Sequence, residues 1–435
     1  MKKITIIGTG YVGLVSGAGL AEFGHEVSCL DIDENKINNL NSGKIPIYEP
    51  GLDNLVRKNV QDNRLSFSSE IEKNIIESNI IFIAVGTPQD ENGKADLRAV
   101  KSVVDLVANH ISDYKIICTK STVPVGTGKW IESIIKSKNS DVEFDYVSNP
   151  EFLREGAAVN DFLSPDRVII GGRTEKAFKE MKEVYRPLYI NETPIMDTSV
   201  ETAEMIKYAS NSFLALKISY INEIANLCEE VGADVHQVAK AMGQDGRISS
   251  KFLHPGPGFG GSCFPKDIEA LYALGKEKNI ELNTIDATIK TNKNQKKRIL
   301  NKLLRLLNNQ VTGKKIAVLG LSFKPNTDDI RESPSLYIVS ELSKLGAVVD
   351  AYDPVAIENF KSIHQNINYS NTWKDCVKDA DACIVLTEWN EFRGMDLNEL
   401  KSLLKAPVVI DAKNIFSVEK LKLLDFDYDN VGRNF

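Results

Sequence analysis

The segment best suited to covalent chemistry is Gly256-Pro257-Gly258-Phe259-Gly260-Gly261-Ser262-Cys263-Phe264-Pro265-Lys266-Asp267. It sets a thiol at the end of a glycine run, beside a helix start expected at Pro265. Backbone donors, a helix N-terminus and the nearby Lys266 all favour the thiolate, which is the nucleophilic form of cysteine. The other cysteines, Cys29, Cys118, Cys228, Cys376 and Cys383, lie in apolar stretches or lack such a setting. They read as small buried hydrophobes. No pair has C-x-x-C spacing, and a chain of 435 residues needs no disulfide to fold, so the set reads as reduced thiols.

A second chemical signature stands at the N-terminus. Gly8-Thr9-Gly10-Tyr11-Val12-Gly13 has the spacing G-x-G-x-x-G, follows the apolar run Ile4–Ile7 and precedes a helical pattern. In that context Gly8 allows a tight turn, Gly10 lets the backbone approach a pyrophosphate, and Gly13 permits close helix–strand packing. The helix N-terminus offers N–H donors and a positive dipole to phosphates. Asp31 ends the next strand, 18 residues beyond Gly13, where an acid accepts from a ribose diol and repels a 2′-phosphate. The cofactor expected is NAD rather than NADP. Val123-Pro124-Val125-Gly126-Thr127-Gly128-Lys129 is not a P-loop: the leading glycine is absent and Trp130 stands where Ser or Thr belongs. No zinc-ligand spacing is present, so no metal is expected.

The elements that must position these groups follow from apolar periodicity. Strands are expected at Ile4–Ile7, Glu26–Leu30, Ile80–Val85, Ile116–Thr119, Asp145–Ser148 and Val168–Gly171, separated by helical stretches. Several are continuously apolar, as in parallel strands covered on both faces. Val200–Val231 then repeats apolar residues every three or four positions without a proline, and Gly232 follows. This predicts one helix about 45–50 Å long. Helices are also expected at Ile268–Lys278 and Lys290–Leu307, the latter a basic connector with a solvated face. The opening then recurs: Lys314-Lys315-Ile316-Ala317-Val318-Leu319-Gly320 echoes Lys2–Gly8, and Gly346–Asp353 echoes Gly24–Asp31. Further strands are expected at Ala382–Leu386 and Val408–Asp411. In this copy Ser322-Phe323-Lys324-Pro325 replaces the glycine turn, which points to a different phosphate ligand with Lys324 in its site. The fold class is α/β: two Rossmann-like doubly wound domains, residues 1–199 and 313–435, joined by a long central helix and a helical middle segment, residues 200–312.

Composition agrees with a globular protein. The chain is 42% hydrophobic and 26% charged, with net charge −7, which argues against disorder and against general affinity for nucleic acid or anionic membrane. Lys2 and Lys3 precede a small and apolar stretch, but its glycines, the missing cleavage pattern and Glu22 speak against a secretory signal, and the cytoplasm is the expected location.

The ordered motifs GTGYVG at Gly8, VGTP at Val85, KSTVPVGT at Lys120, NPEFLREG at Asn149, KYASN at Lys207, GFGGSCFPKD at Gly258 and GLSFKPNTDDIRESP at Gly320 span the chain. It resembles the UDP-glucose/GDP-mannose dehydrogenase family. The resemblance implies four-electron oxidation of a sugar-nucleotide primary alcohol to a carboxylate with two NAD reduced, here UDP-glucose to UDP-glucuronate. The same chemistry on GDP-mannose or a UDP-N-acetylhexosamine is the alternative. A thiohemiacetal on Cys263 would hold the aldehyde, and a thioester would follow. Such a route needs a nucleophile, a cation for the oxyanion and a carboxylate to direct water. Lys207 and Asn211 stand four apart, on one helical face. By resemblance Lys207 stabilises the oxyanion or takes the alcohol proton, and Asn211 holds substrate and water. Asp267 orients the water or relays a proton, Glu151 is the base for thioester hydrolysis, and Thr122 positions the water. Tyr11, Val12, Asp31, Lys36, Thr87, Thr122, Glu155, Lys266 and Arg331 resemble NAD contacts. Glu151, Phe152, Leu153, Arg154 and Glu155, the run Phe252, Leu253, His254, Pro255 and Gly256, with Gly260 and Lys324, resemble the sugar-nucleotide site. Arg247 resembles an arginine that reaches the neighbouring subunit's substrate, which implies a homodimer.

Overall fold

The computed structural model describes residues 1–91 and 93–433. The chain forms two compact units, Met1–Ser210 and Asn211–Phe435, and the division falls inside the 32-residue helix Val200–Val231. That helix has the bounds its periodicity predicts.

The first unit is built on a sheet of eight strands: β1 (Lys3–Ile7), β2 (Glu26–Leu30), β3 (Leu65–Ser68), β4 (Ile80–Ile83), β5 (Lys115–Thr119), β6 (Phe144–Ser148), β7 (Val168–Gly171) and β8 (Ile195–Thr198). Their order is β3-β2-β1-β4-β5-β6-β7-β8. The first six give the doubly wound order 3-2-1-4-5-6, whose crevice lies beyond the strand ends where the order reverses, beside β1 and β4. Every residue of β4 and β5 is buried, which explains the continuous apolar run of β4 and the apolar centre Ile116–Cys118 of β5. One core cluster gathers Ile6, Leu14, Phe82 and Val147, and another gathers Ile7, Ile83, Val104 and Ile117.

Two features differ from the sequence reading. The strand at Val168–Gly171 does not continue the parallel order: β7 pairs with β6 in antiparallel fashion through Ser148 and Gly171, and β8 runs parallel to β7. Burial alone does not encode strand direction, so an apolar run reads the same either way. The strands β3 and β8 were also absent from the sequence reading. Both are short, and β8 has no fully buried residue, so neither carries a strong apolar run.

The second unit repeats the topology. Strands β9 (Lys315–Leu319), β10 (Val348–Tyr352), β11 (Asn368–Tyr369), β12 (Ala382–Val385), β13 (Val408–Asp411) and β14 (Asp427–Asn430) are ordered β11-β10-β9-β12-β13-β14, all parallel. This is the same 3-2-1-4-5-6 winding, as the sequence echo implies. One face packs Ile316, Val318 and Ile384 against Ile221, Ile299 and Leu303 of two helices. The helix carrying Ile299 spans Asn283–Leu306, seven residues earlier at its start than Lys290. Its cap residue, Leu282, makes no side-chain cap, so the usual start signal is missing. No helix among the described residues is long and apolar enough to cross a membrane.

Candidate active site

In the first unit, β1 runs into the glycine turn. Gly8 sits at φ +109°, and a Cβ there would lie 2.7 Å from the Ala84 carbonyl oxygen. A Cβ on Gly13 would lie 1.9 Å from the Gly8 carbonyl oxygen, so the helix can approach the turn only with glycine present. Gly10 is different: nothing lies within 4 Å of its Cβ position. It caps the helix Tyr11–Glu22 without a side-chain hydrogen bond, leaving the first N–H groups for a ligand. Asp31, just past β2, accepts from Thr9 N at 3.0 Å, Thr9 Oγ1 at 2.7 Å and Asp33 N at 3.1 Å, with Lys36 Nζ at 3.7 Å. Burial works to raise its pKa, but the Thr9 and Asp33 donors and Lys36 together hold it below the ordinary carboxylate value. A carboxylate has about four acceptor positions, so acceptor capacity remains for a hydroxyl. An open glycine, an uncapped helix start and an ionised acid at the end of β2 fit a dinucleotide. Val12 and Tyr11 are half-buried beside the turn, and the Tyr11 hydroxyl is hydrogen-bonded to the buried Glu49.

A second cluster grows from the end of β6. Glu151 is buried, and its Oε1 lies 2.8 Å from Lys207 Nζ, while Nζ also donates to the Glu151 carbonyl oxygen at 2.7 Å. Leu153 N donates to Glu151 Oε2 at 2.5 Å. Burial alone would raise the Glu151 pKa strongly. The charge and hydrogen bond of Lys207, the Leu153 N–H and the more distant Lys120 reverse that, and the carboxyl stays below its usual range. Lys207 Nζ also stands 5.3 Å from the Phe152 ring centre. Arg154 is committed to a bidentate pair with Asp161, at 2.6 and 2.9 Å. Thr87 Oγ1 donates to the Thr122 carbonyl oxygen at 2.8 Å, which joins the ends of β4 and β5. Glu155 is buried in the same loop. Glu49, not singled out in the sequence, closes that loop by accepting from Gly156 N at 2.6 Å and Ala158 N at 2.8 Å.

In the second unit, Cys263 caps the helix Phe264–Glu277 and is half-buried. The helix starts one residue before Pro265, which occupies its first turn, where a missing N–H costs nothing. Asp267 is completely buried. Its Oδ2 accepts from Asn211 Nδ2 at 2.6 Å and its Oδ1 pairs with Lys266 Nζ at 2.5 Å. The glycine loop is held by three side chains that sequence reasoning missed. Asn222 Oδ1 accepts from Gly256 N at 2.8 Å, and Gln295 Nε2 donates to Gly256 O at 3.0 Å. Asn292 bridges both backbone groups of Phe259, at 2.7 and 3.0 Å. Gly260 cannot be larger, because a Cβ would meet the Glu332 carbonyl oxygen at 2.5 Å. Phe252 adopts φ +66°, a conformation unusual for an aromatic residue. Leu253, Pro255 and Gly256 are buried beyond it and His254 is exposed. Lys324 is half-buried, with its ammonium 5.3 Å from the Phe323 ring centre. Arg331 forms a fork with Asp329 at 2.7 Å. Arg247 pairs with Asp245 at 2.6 Å and is otherwise exposed, its side chain 89% accessible.

The remaining cysteines are buried, and burial pushes Cys29 up to about 12 and Cys118 and Cys383 higher still. Of the six, Cys263 is the one that is not fully buried.

Three domain descriptions of one family match in order: its NAD binding domain at residues 2–189, its central domain at 201–294 and its UDP binding domain at 317–418. The chain belongs to the UDP-glucose/GDP-mannose dehydrogenase family. It is an NAD-dependent oxidoreductase. The UDP-glucose 6-dehydrogenase TuaD of Bacillus subtilis is 50% identical over 435 residues, covering 100% of this chain and 94% of the relative. A UDP-glucose 6-dehydrogenase of Rhizobium meliloti is 48% identical, covering 99% of both chains. The solved UDP-glucose dehydrogenase of Pyrobaculum islandicum superposes with a TM-score of 0.93 at 34% identity, over 100% of this chain and 98% of that one. For a member of this family, the polar clamps Asn222, Asn292 and Gln295 are read as support for the cysteine loop. Their only sequence signal was amide side chains recurring on helix faces that otherwise carry apolar residues.

Proposed function

We propose that this chain oxidises UDP-glucose to UDP-glucuronate through a thiohemiacetal and then a thioester on Cys263. The observation that carries this reading is Cys263 itself: a half-buried thiol at a helix N-terminus, one turn before the buried pair Asn211–Asp267 and its partner Lys266. The names of the relatives support UDP-glucose as the sugar nucleotide. The Gly8–Gly13 turn and Asp31 would hold NAD, which would supply a hydride acceptor for each of the two oxidations. The chain's own residues do the rest. Lys207, whose Nζ already lies 2.8 Å from the Glu151 carboxylate, is the cation of the site and serves as the oxyanion partner. Asn211 holds substrate and water, and Asp267, whose Oδ2 accepts from Asn211, relays the alcohol proton. Cys263 adds to the aldehyde carbon and keeps it from escaping. In the last step Glu151 takes a proton from water, which Thr122 positions, and the carbon–sulfur bond breaks to release thiolate and carboxylate.

Residues 1–199 serve the cofactor in this reading, 200–312 carry the cysteine loop and 313–435 bind the UDP moiety, with Phe252–Gly256, Gly260 and Lys324 among its contacts. The decisive experiment mixes purified protein with NAD and limiting UDP-glucose. Two NADH and one UDP-glucuronate form per sugar; a yield of one NADH with an aldehyde product overturns the reading.

The reading includes a homodimer. Phe213, Tyr220 and Leu227 stand seven residues apart on the long helix and are 60%, 45% and 58% exposed, a stripe suited to a second copy of the helix. Arg247, paired with its neighbour Asp245 and with its side chain 89% accessible, then reaches the partner's diphosphate. Arg247→Ala is expected to weaken UDP-glucose binding about tenfold or more while leaving NAD binding within twofold, in line with loss of a charge-assisted hydrogen bond. Mixing it with inactive Cys263→Ala chains restores part of the activity. Hybrid dimers without any restored turnover remove the shared site.

A further inference from the structure

Lys120 lies one residue past β5 and is 5% exposed. Its Nζ donates to Asn149 Oδ1 at 3.0 Å and to the Tyr185 hydroxyl at 3.1 Å, and both partners are neutral. The Tyr185 hydroxyl donates to the same Asn149 oxygen at 2.6 Å. Asn149 is further fixed by Nδ2 donating to Ile169 O at 2.7 Å and by its backbone N donating to Thr119 O at 3.0 Å. Asn149 stands two residues before Glu151, and Lys120 stands two residues before Thr122. The ammonium therefore ties together the two chain ends that lead to the proposed base and to the residue that positions its water.

A buried ammonium with neutral partners is costly. Packing does not require it, because Tyr185 already satisfies the Asn149 oxygen and a methionine would fill the space between Phe162 and Tyr185, whose ring centres lie 5.9 and 5.5 Å from Nζ. Burial depresses the Lys120 pKa to about 8, with Cys118 and then Glu151 working to raise it and Lys207 to lower it. The charged groups that act on Glu151 are Lys207 from the long helix and Lys120.

We propose that Lys120 is a positioning residue for thioester hydrolysis, holding Glu151 in place through Asn149. This rests on the reading of Glu151 as the base. In the supported step, water oxygen attacks the thioester carbon, its proton passes to the Glu151 carboxylate, and the carbon–sulfur pair leaves on Cys263 as thiolate. Lys120 touches none of these atoms.

The test is a single-turnover experiment with the full chain, NAD and UDP-glucose, following NADH and the mass of the Cys263 adduct. Lys120→Met is expected to give two NADH per site at rates within twofold of wild type. Loss of its adduct should then slow about ten- to hundredfold, the scale of a misplaced catalytic group, with KM for UDP-glucose nearly unchanged. Asn149→Ser, which keeps the charge but cuts its link to the chain, gives the same selective delay and is decisive if Lys120→Met does not fold. An unchanged hydrolysis rate in Asn149→Ser, or a loss of all steps in parallel with Tm, overturns the proposal. Glu151→Gln is the control. If it hydrolyses normally, the base assignment has failed; if it stalls while the Lys120 and Asn149 variants do not, only the positioning role has failed.

Discussion

Replacing Cys263 by serine is expected to lower turnover by roughly 10³-fold or more, equivalent to about 4 kcal/mol of lost transition-state stabilisation. Serine keeps the size and hydrogen-bonding capacity of the side chain at the start of the Phe264–Glu277 helix, so the loop and its clamps Asn222, Asn292 and Gln295 stay formed. What changes is nucleophilicity. A cysteine thiolate is far more readily formed near neutral pH than a serine alkoxide, and a helix N-terminus favours it. Calorimetry should show NAD and UDP-glucose binding within a few-fold of wild type. Retention of even a tenth of wild-type turnover in this variant would remove Cys263 as the covalent centre. The other five cysteines offer no substitute, because all are buried.

The parts of the molecule legible in the sequence are those whose signal is local. The glycine turn at Gly8–Gly13, the helix Val200–Val231 and the repeated strand–helix pattern after Gly313 each declare themselves through spacing, and each stands where it was read. The setting of Cys263, a half-buried thiol at the start of a helix, was legible because its neighbours in sequence make that setting. The supporting shell was not. Lys120, Asn149 and Tyr185 are separated by 29 and 36 residues and meet only because β5 and β6 are adjacent and the chain returns after β7. Asn292 and Gln295 sit in a stretch whose lysines made it read as a solvated connector, yet both side chains face a buried loop. A single sequence shows residue type and period. It does not show which polar side chain of a helix has an unsatisfied backbone group across from it. For the same reason the antiparallel placement of β7 was invisible: Val168–Gly171 is fully buried in either direction.

Glu151→Gln is expected to separate oxidation from release. Gln keeps the shape, and its carbonyl oxygen can still accept from Lys207 or Leu153 N, but it cannot take a proton from water. The substitution also removes the negative member of a buried ion pair, 3% and 5% exposed at its two side chains. Breaking such a pair typically costs about 3–5 kcal/mol. The retained amide hydrogen bond offsets part of that, so a lower Tm accompanies the kinetic effect. In wild type the pair's contribution is present above the ordinary carboxylate pKa and is lost as pH falls through the depressed value of Glu151. That acid-side loss should be smaller in the variant, which has no carboxyl to protonate there. The kinetic expectation is a burst of two NADH per site followed by a stall, with a sugar-nucleotide adduct on Cys263 detectable by intact-protein mass spectrometry. Removal of a general base costs about 10²–10⁴ in rate, long enough for the adduct to be seen. A variant that turns over steadily at the wild-type rate without an adduct would show that some other group, or unassisted water, cleaves the thioester. An adduct that survives the added change Cys263→Ala would place the covalent bond elsewhere.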